Sequence, residues 1–140
     1  MHSKAVLTHA DVVLILEAAR REARANQWPV AIAVVDDGGH PLALERLDDC
    51  APVGAYIATE KARSSALGRR ETKVYEDMIN GGRTAFLSVP LLSGTLEGGV
   101  PIWVAGQVVG AVGVSGVQSG QDAQVARAGA GALDLLREVV

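Results

Sequence analysis

Only a few side chains here combine a reactive type with a neighbour able to use it. Arg46-Leu47-Asp48 closes a turn-rich stretch, and Lys61 follows thirteen residues after Asp48. Lys61 shares a helical face with Ala58 and Ala62 and so points partly inward. An inward ammonium needs a carboxylate, and Asp48 and Asp122 are the two candidates. Beside Asp48, Lys61 would serve as an acid/base group or a carboxylate clamp; the plainer reading is a structural ion pair. Cys50 follows Asp48 and Asp49, and two acids raise a thiol pKa, which speaks against a nucleophile. Ser64-Ser65 and Ser115-Gly116 stand outside any Gly-x-Ser-x-Gly elbow. His2, His9 and His40 form no i,i+4 pair and have no Cys or Glu at ligand spacing, so no metal site is predicted. Each reads first as a solvated surface histidine. Gly38-Gly39 and Gly98-Gly99 lack the Lys-Ser/Thr of a phosphate loop and read as turns or close packing.

The elements that must carry these residues follow from periodicity. Thr8 with Asp11 makes a capping box, and Val12, Ile15, Leu16, Ala19 and Ala23 recur at helical spacing until Asn26. Val30 to Val35, the turn Asp36-Asp37-Gly38-Gly39 and the alternating Leu42, Leu44 and Arg46 predict a β-hairpin. Pro52 opens an Ala-rich helix reaching Arg70, with Ala55, Ala58, Ala62 and Ala66 in one narrow stripe. A short helix over 72–79 stops at Gly81-Gly82. Strands are predicted at Phe86–Val89, Val100–Val104 and Gln107–Ser115. In the last, Val108, Gly110, Val112 and Val114 should share one face, and the glycines imply a close neighbour above the sheet. Ser119 should cap a final helix burying Val125, Ala128, Ala132, Leu136 and Val139. The expected fold is an α/β sandwich, ordered α-β-β-α-(α)-β-β-β-α, around a five-stranded antiparallel sheet.

The 140 residues are 49% apolar and carry a net charge of −3, which suits one folded domain spanning 1–140 rather than a disordered tail. That balance argues against a nucleic-acid partner held by bulk charge, and 4% aromatics argue against a base-stacking surface. One cysteine excludes an intramolecular disulfide framework. The stretch 98–121 has no charged residue, but seven glycines and Pro101 interrupt it, so it reads as buried sheet rather than a membrane span. The N-terminus shows no signal-peptide core, which makes a cytoplasmic location the expectation.

Several segments together resemble the GlcG/HbpS family, the haem-degrading domain also found as the C-terminal part of PduO-type proteins. They are Ala31-Ile32-Ala33-Val34-Val35-Asp36-Asp37-Gly38-Gly39, Arg46-Leu47-Asp48, Lys61-Ala62 and Gly98-Gly99-Val100-Pro101-Ile102. The most specific block is Gly106 to Gly116, followed by Gln121-Asp122 and Ala126-Arg127-Ala128-Gly129. The resemblance implies a profilin-like sandwich, self-association into dimers or higher oligomers, and a small-molecule ligand. For some members that ligand is haem, and for others a corrinoid. The implied pocket comprises Arg46, Asp48, Lys61, Gly98, Gly99 and Asp122. Arg46 and Lys61 would hold carboxylates, and His9 or His40 would be the axial ligand of a haem. Asp49-Cys50 replaces the Gly-Ala usual in the family, and an added acid favours a cationic or metal-bearing ligand. Two other functions stay open: an isomerase, hydratase or lyase of small acids using Lys61 and Asp48, and a structural or regulatory oligomer. Small-residue faces at Ala55/Ala58/Ala62 and Gly129/Gly131 motivate the last.

Overall fold

The computed structural model describes residues 1–134. Helix α1 spans His9–Ala25, and its Thr8/Asp11 capping box is present as expected. The hairpin comprises β1 (Ala31–Asp36) and β2 (Pro41–Arg46). At its turn Asp36 Oδ1 accepts from the Gly38 and His40 amides, both at 2.9 Å. Helix α2 (Val53–Gly68) ends where Arg69 turns left-handed, and α3 (Thr72–Asn80) follows. Strands β3 (Gly99–Val104) and β4 (Gln107–Ser115) form the second hairpin, and α4 (Ser119–Ala130) crosses back.

The strands form one antiparallel sheet of order β2-β1-β4-β3. It has four strands among the described residues, not five. The predicted strand at Phe86–Val89 is instead a 3-10 turn over Thr84–Ser88. The run is short and lies between Gly81-Gly82 and Pro90. Phe86 stacks on the buried Tyr75 ring at 5.0 Å, a side-chain contact that needs no strand ladder.

One sheet face carries α1 and α4. There Ile15, Ala19, Ile32, Val34, Ile102, Val112, Val114 and Val125 form the main core. The other face carries α2 through residues of minimal size: Ala58, Ala62 and Ala66 pack on Ala31, Ala33 and Ala111. A Cβ on Gly113 would collide with the Ala58 carbonyl oxygen, so this glycine sets how closely α2 approaches β4. The simple alternation expected along β4 fails at one point. A register shift opposite Ile102/Trp103 turns Val109, rather than Val108, into the core with Val112 and Val114. The α4 N-cap is Gln118, not Ser119, and the Gln118 amide donates to Gln121 Oε1 at 3.3 Å. Val125 is buried as expected, whereas Leu136 and Val139 lie outside the described residues.

Candidate functional site

Strand register decides which residues can meet. Arg46 pairs with Ala31, Ala31 with Ser115, and Gly99 with Gly113, so these residues share one end of the sheet. The β1–β2 turn lies at the other end with the start of β4, since Asp36 pairs with Gly110. The N-terminus of α1 is also there: Leu7 packs beside Gly110, and Lys4 bonds Asp37.

At the Arg46 end, α2, β4 and α4 converge on a buried ion pair. The Lys61 ammonium donates to Asp122 Oδ2 at 3.1 Å and to the Val114 carbonyl at 2.9 Å. The two residues are 2% and 3% exposed. Asp122 Oδ1 accepts from the Val117 amide at 3.1 Å, so both carboxylate oxygens are used. Burial pushes the Asp122 carboxyl above its ordinary range, with the Lys61 charge and the Val117 amide pulling against it. Gly98 and Gly99 pack directly on Lys61. A Cβ on Gly98 (φ +134°) would lie 2.7 Å from Lys61 Nζ, and one on Gly99 would strike the Lys61 carbonyl. The Gly99 amide donates to Thr72 Oγ1 at 2.8 Å. The inward lysine and its carboxylate partner are therefore real, and the partner is Asp122. The Lys61–Asp48 pair is not formed: Asp48 is exposed and Lys61 is closed off from solvent.

At the same end of the sheet, on the β2 side, lies an open cleft of about 460 Å³ between the C-terminus of α1 and the segment leaving β2. Arg24, Gln27, Trp28, Pro29 and the run Glu45 to Asp49 line it. Trp28 and Leu47 are half-buried against the main core and form its apolar wall. Glu45 is taken by Arg20 in a two-pronged contact, both bonds 2.7 Å, which holds its carboxyl below the usual range. Arg24, Arg46, Asp48 and Asp49 make no ion pair among the described residues. Asp49 sits at φ +69°, a left-handed conformation that turns the chain so that Cys50 enters the interior. The Cys50 thiol donates to the Ser115 carbonyl at 3.7 Å. Its pKa is raised, as the sequence suggests, but burial is the first cause; Arg46 opposes it and Asp122 adds to it.

Six of the residues anticipated from sequence thus gather at one end of the sheet, in two layers. Arg46 and Asp48 line the cleft, while Lys61, Asp122, Gly98 and Gly99 form the buried layer. His9 and His40 lie at the opposite end: His9 opens α1, and His40 follows the hairpin turn with Nδ1 3.1 Å from Asp36 Oδ1. Sequence reasoning missed Arg24 and Trp28. Arg24 reads as part of the polar helix face, although its place in the last turn, four residues before Trp28-Pro29, points to the chain exit where the cleft forms.

An antiparallel sheet between helices is an architecture shared with solved proteins. The family described as haem degrading protein HbpS-like matches residues 7–131. The chain belongs to that family. It is 60% identical to protein GlcG of Escherichia coli (strain K12) over 115 residues, covering 82% of this chain and 85% of that one. A 15.0 kDa uncharacterized protein of Citrobacter freundii is 31% identical over 138 residues, covering 96% and 95%. Among solved structures, HbpS superposes with a TM-score of 0.85 at 29% identity, covering 95% of this chain and 94% of that one. The PduOC:heme complex gives 0.82 at 26% identity, covering 91% and 95%. Among the described residues no helix is long and apolar enough to cross a membrane.

Proposed function

We propose that this chain is a small-molecule binding protein whose ligand is haem or a related tetrapyrrole. The observation that carries the reading is the cleft itself. It joins an apolar wall at Trp28 and Leu47 to two exposed guanidiniums, Arg24 and Arg46, that make no ion pair among the described residues. Its volume lies in the range of about 300–1,000 Å³ common to ligand sites. A tetrapyrrole with carboxylate side chains presents the same combination, a flat apolar body with an anionic edge. Membership of a haem-degrading family and the solved haem complex of PduOC support that ligand class. Titration of the purified protein with hemin should give a saturable Soret shift at micromolar concentration. A linear, non-saturating response would end this reading.

A second reading, self-association, is compatible with the first. The outer edge of the sheet and the start of α2 expose Leu44, Val53 and Tyr56, at 52%, 56% and 78%. Leu44 and Tyr56 border a shallow groove reaching Pro52 and Thr59. Contiguous exposed apolar surface of this kind favours a protein partner, and a second copy is the one that the family resemblance implies. Light scattering that returned only the monomer mass would remove it.

A further inference from the structure

The Lys61–Asp122 pair is chemistry that the cleft does not use, and a short glycine-flanked length of chain closes it off from solvent. We propose that Gly94–Gly98, the segment leading into β3, is a strap that opens locally, without unfolding the domain, and uncovers the Lys61 amine beside the Asp122 carboxyl group. This is a second site, and it stands whether or not the cleft takes a tetrapyrrole.

The strap lies on α2 through its backbone. A Cβ on Gly94 would stand 2.2 Å from the Glu60 carbonyl carbon and 2.3 Å from the Lys61 amide nitrogen, and one on Gly98 would stand 2.7 Å from Lys61 Nζ. An approach this close leaves no room for interdigitated side chains, so the strap brings little apolar area with it. Thr95 is buried, but Leu96 is 47% exposed. Hydrogen bonds at separate points hold the segment down instead. The Gly94 amide donates to Ser64 Oγ at 3.2 Å, Thr72 Oγ1 donates to the Leu96 carbonyl, and the Val114 amide donates to the Gly98 carbonyl at 3.0 Å. The Glu97 amide donates to Glu76 Oε2 at 3.4 Å. Each contributes little net, because water replaces it on opening. Upstream, residues 81–91 are exposed apart from the half-buried Phe86. Leu91 there sits at φ +69°, a costly conformation for a residue with a Cβ. Few buried apolar contacts beside a run of exposed chain are the conditions for local opening.

What lies beneath has chemistry to offer. An ammonium carries three N–H donors, and two of those on Lys61 find acceptors among the described residues, the Val114 carbonyl and Asp122. Burial holds the Asp122 carboxyl above its ordinary range, and Glu97 of the strap itself adds to the rise. Lifting the strap takes Glu97 away and admits a solute, leaving an amine with a free N–H next to a carboxyl group. Those are the groups that capture of a small carboxylate or carbonyl compound, with proton transfer to or from it, requires. Closed, the strap leaves the pair with only itself and the Val114 carbonyl to bind.

Amine labelling of the folded protein tests this. The chain has three lysines, and the exposed side chains of Lys4 and Lys73, at 32% and 49%, serve as internal references. Reductive methylation with formaldehyde and cyanoborohydride, read at each lysine by mass spectrometry, gives three rates from one sample. Lys61 should react about ten- to a thousandfold more slowly than Lys73, as for an open state populated at roughly 0.1–10%. Its rate should stay flat in urea well below the unfolding transition, because local opening exposes little surface. Thr72→Val removes the hydroxyl that ties Leu96 and Gly99, and should speed Lys61 about tenfold while leaving Lys73 unchanged. Ser64→Ala frees the Gly94 amide and is the milder second variant, with the same direction expected. Circular dichroism verifies that each is folded. A Lys61 rate that climbs with urea as steeply as global unfolding would overturn the proposal. So would a rate equal to that of Lys73, or one that neither Thr72→Val nor Ser64→Ala changes. None of these results bears on hemin binding in the cleft.

Discussion

Replacing Lys61 by Met tests whether the buried ion pair is one energetic unit. The substitution keeps the aliphatic stem and removes the ammonium, leaving Asp122 at 3% exposure without its cation and Val114 without its donor. Breaking a buried pair by deleting one partner costs about 3–5 kcal/mol. At about 3 °C per kcal/mol for a chain near this size, that lowers Tm by roughly 10–15 °C. The pH dependence is the sharper part. Burial already raises the Asp122 pKa, and Lys61 is the strongest group opposing the rise. Without it the folded-state pKa climbs further above the unfolded value. A group raised in this way favours folding below its unfolded pKa, and that contribution is lost as pH rises through the folded pKa. The gap between variant and wild type should therefore be widest at pH 8 and narrower at pH 5, where Asp122 in the variant escapes its penalty by taking a proton. Urea unfolding followed by Trp28 and Trp103 fluorescence at both pH values measures it. Adding Asp122→Leu should recover part of the loss, since no charge then remains buried. A gap below about 1 kcal/mol, or one that does not change with pH, would refute the reasoning.

Two further substitutions probe the fold around the site. Glu45→Gln should cost about 0.5–1 kcal/mol at pH 7, the contact with Arg20 being paired but part-exposed. Arg20 lowers the Glu45 pKa, so this stability is present above the ordinary carboxylate range and vanishes as pH falls through the folded value. The variant and wild-type urea midpoints should converge in acid, below the ordinary carboxylate range. Gly113→Ala should destabilise by about 1–3 kcal/mol, because its methyl meets backbone of α2 at Ala58 and Ala62 that cannot turn aside. Gly120→Ala, with nothing within 4 Å of the new Cβ, should be neutral or stabilising by up to about 1 kcal/mol. Parallel thermal melts that showed equal losses for the two glycine variants would contradict the close approach of α2 to β4.

Much of the fold was legible because local signals were strong and agreed. Thr8 and Asp11 announce the first helix, and Asp36 to Gly39 announce the hairpin turn. The alanine stripe of α2 and the glycines of β4 both predict a helix packed tightly on a sheet, which is the contact observed. Where the reading failed, a tertiary choice overrode a local pattern. Phe86–Val89 has strand composition, but the chain there forms a 3-10 turn whose Phe86 stacks on Tyr75. At Val109 one residue's shift in register reverses which side chains enter the core, and no two-residue period can show where such a shift falls.

The site was legible in type more than in place. Composition pointed to Arg46, Asp48, Lys61 and Asp122 as the groups worth watching, and inward-facing Lys61 demanded a partner. Choosing between Asp48 and Asp122 needed the crossover that brings the start of α4 beneath β4, a relation spanning 61 positions. Counting along the elements would have been enough for the histidines. The six-residue strand β2 begins just after His40 and ends on Arg46, and nearly the full length of α1 separates His9 from Arg24, so neither ring lies at the end of the sheet where those cations stand. The same count brings Arg24 to the cleft, because a helix that starts beside the hairpin turn must end beside Arg46. A guanidinium in that last turn offsets the negative end of the α1 dipole. It also stands where the chain leaves the core at Trp28-Pro29, which gives the cleft a cation and an apolar wall from one short segment.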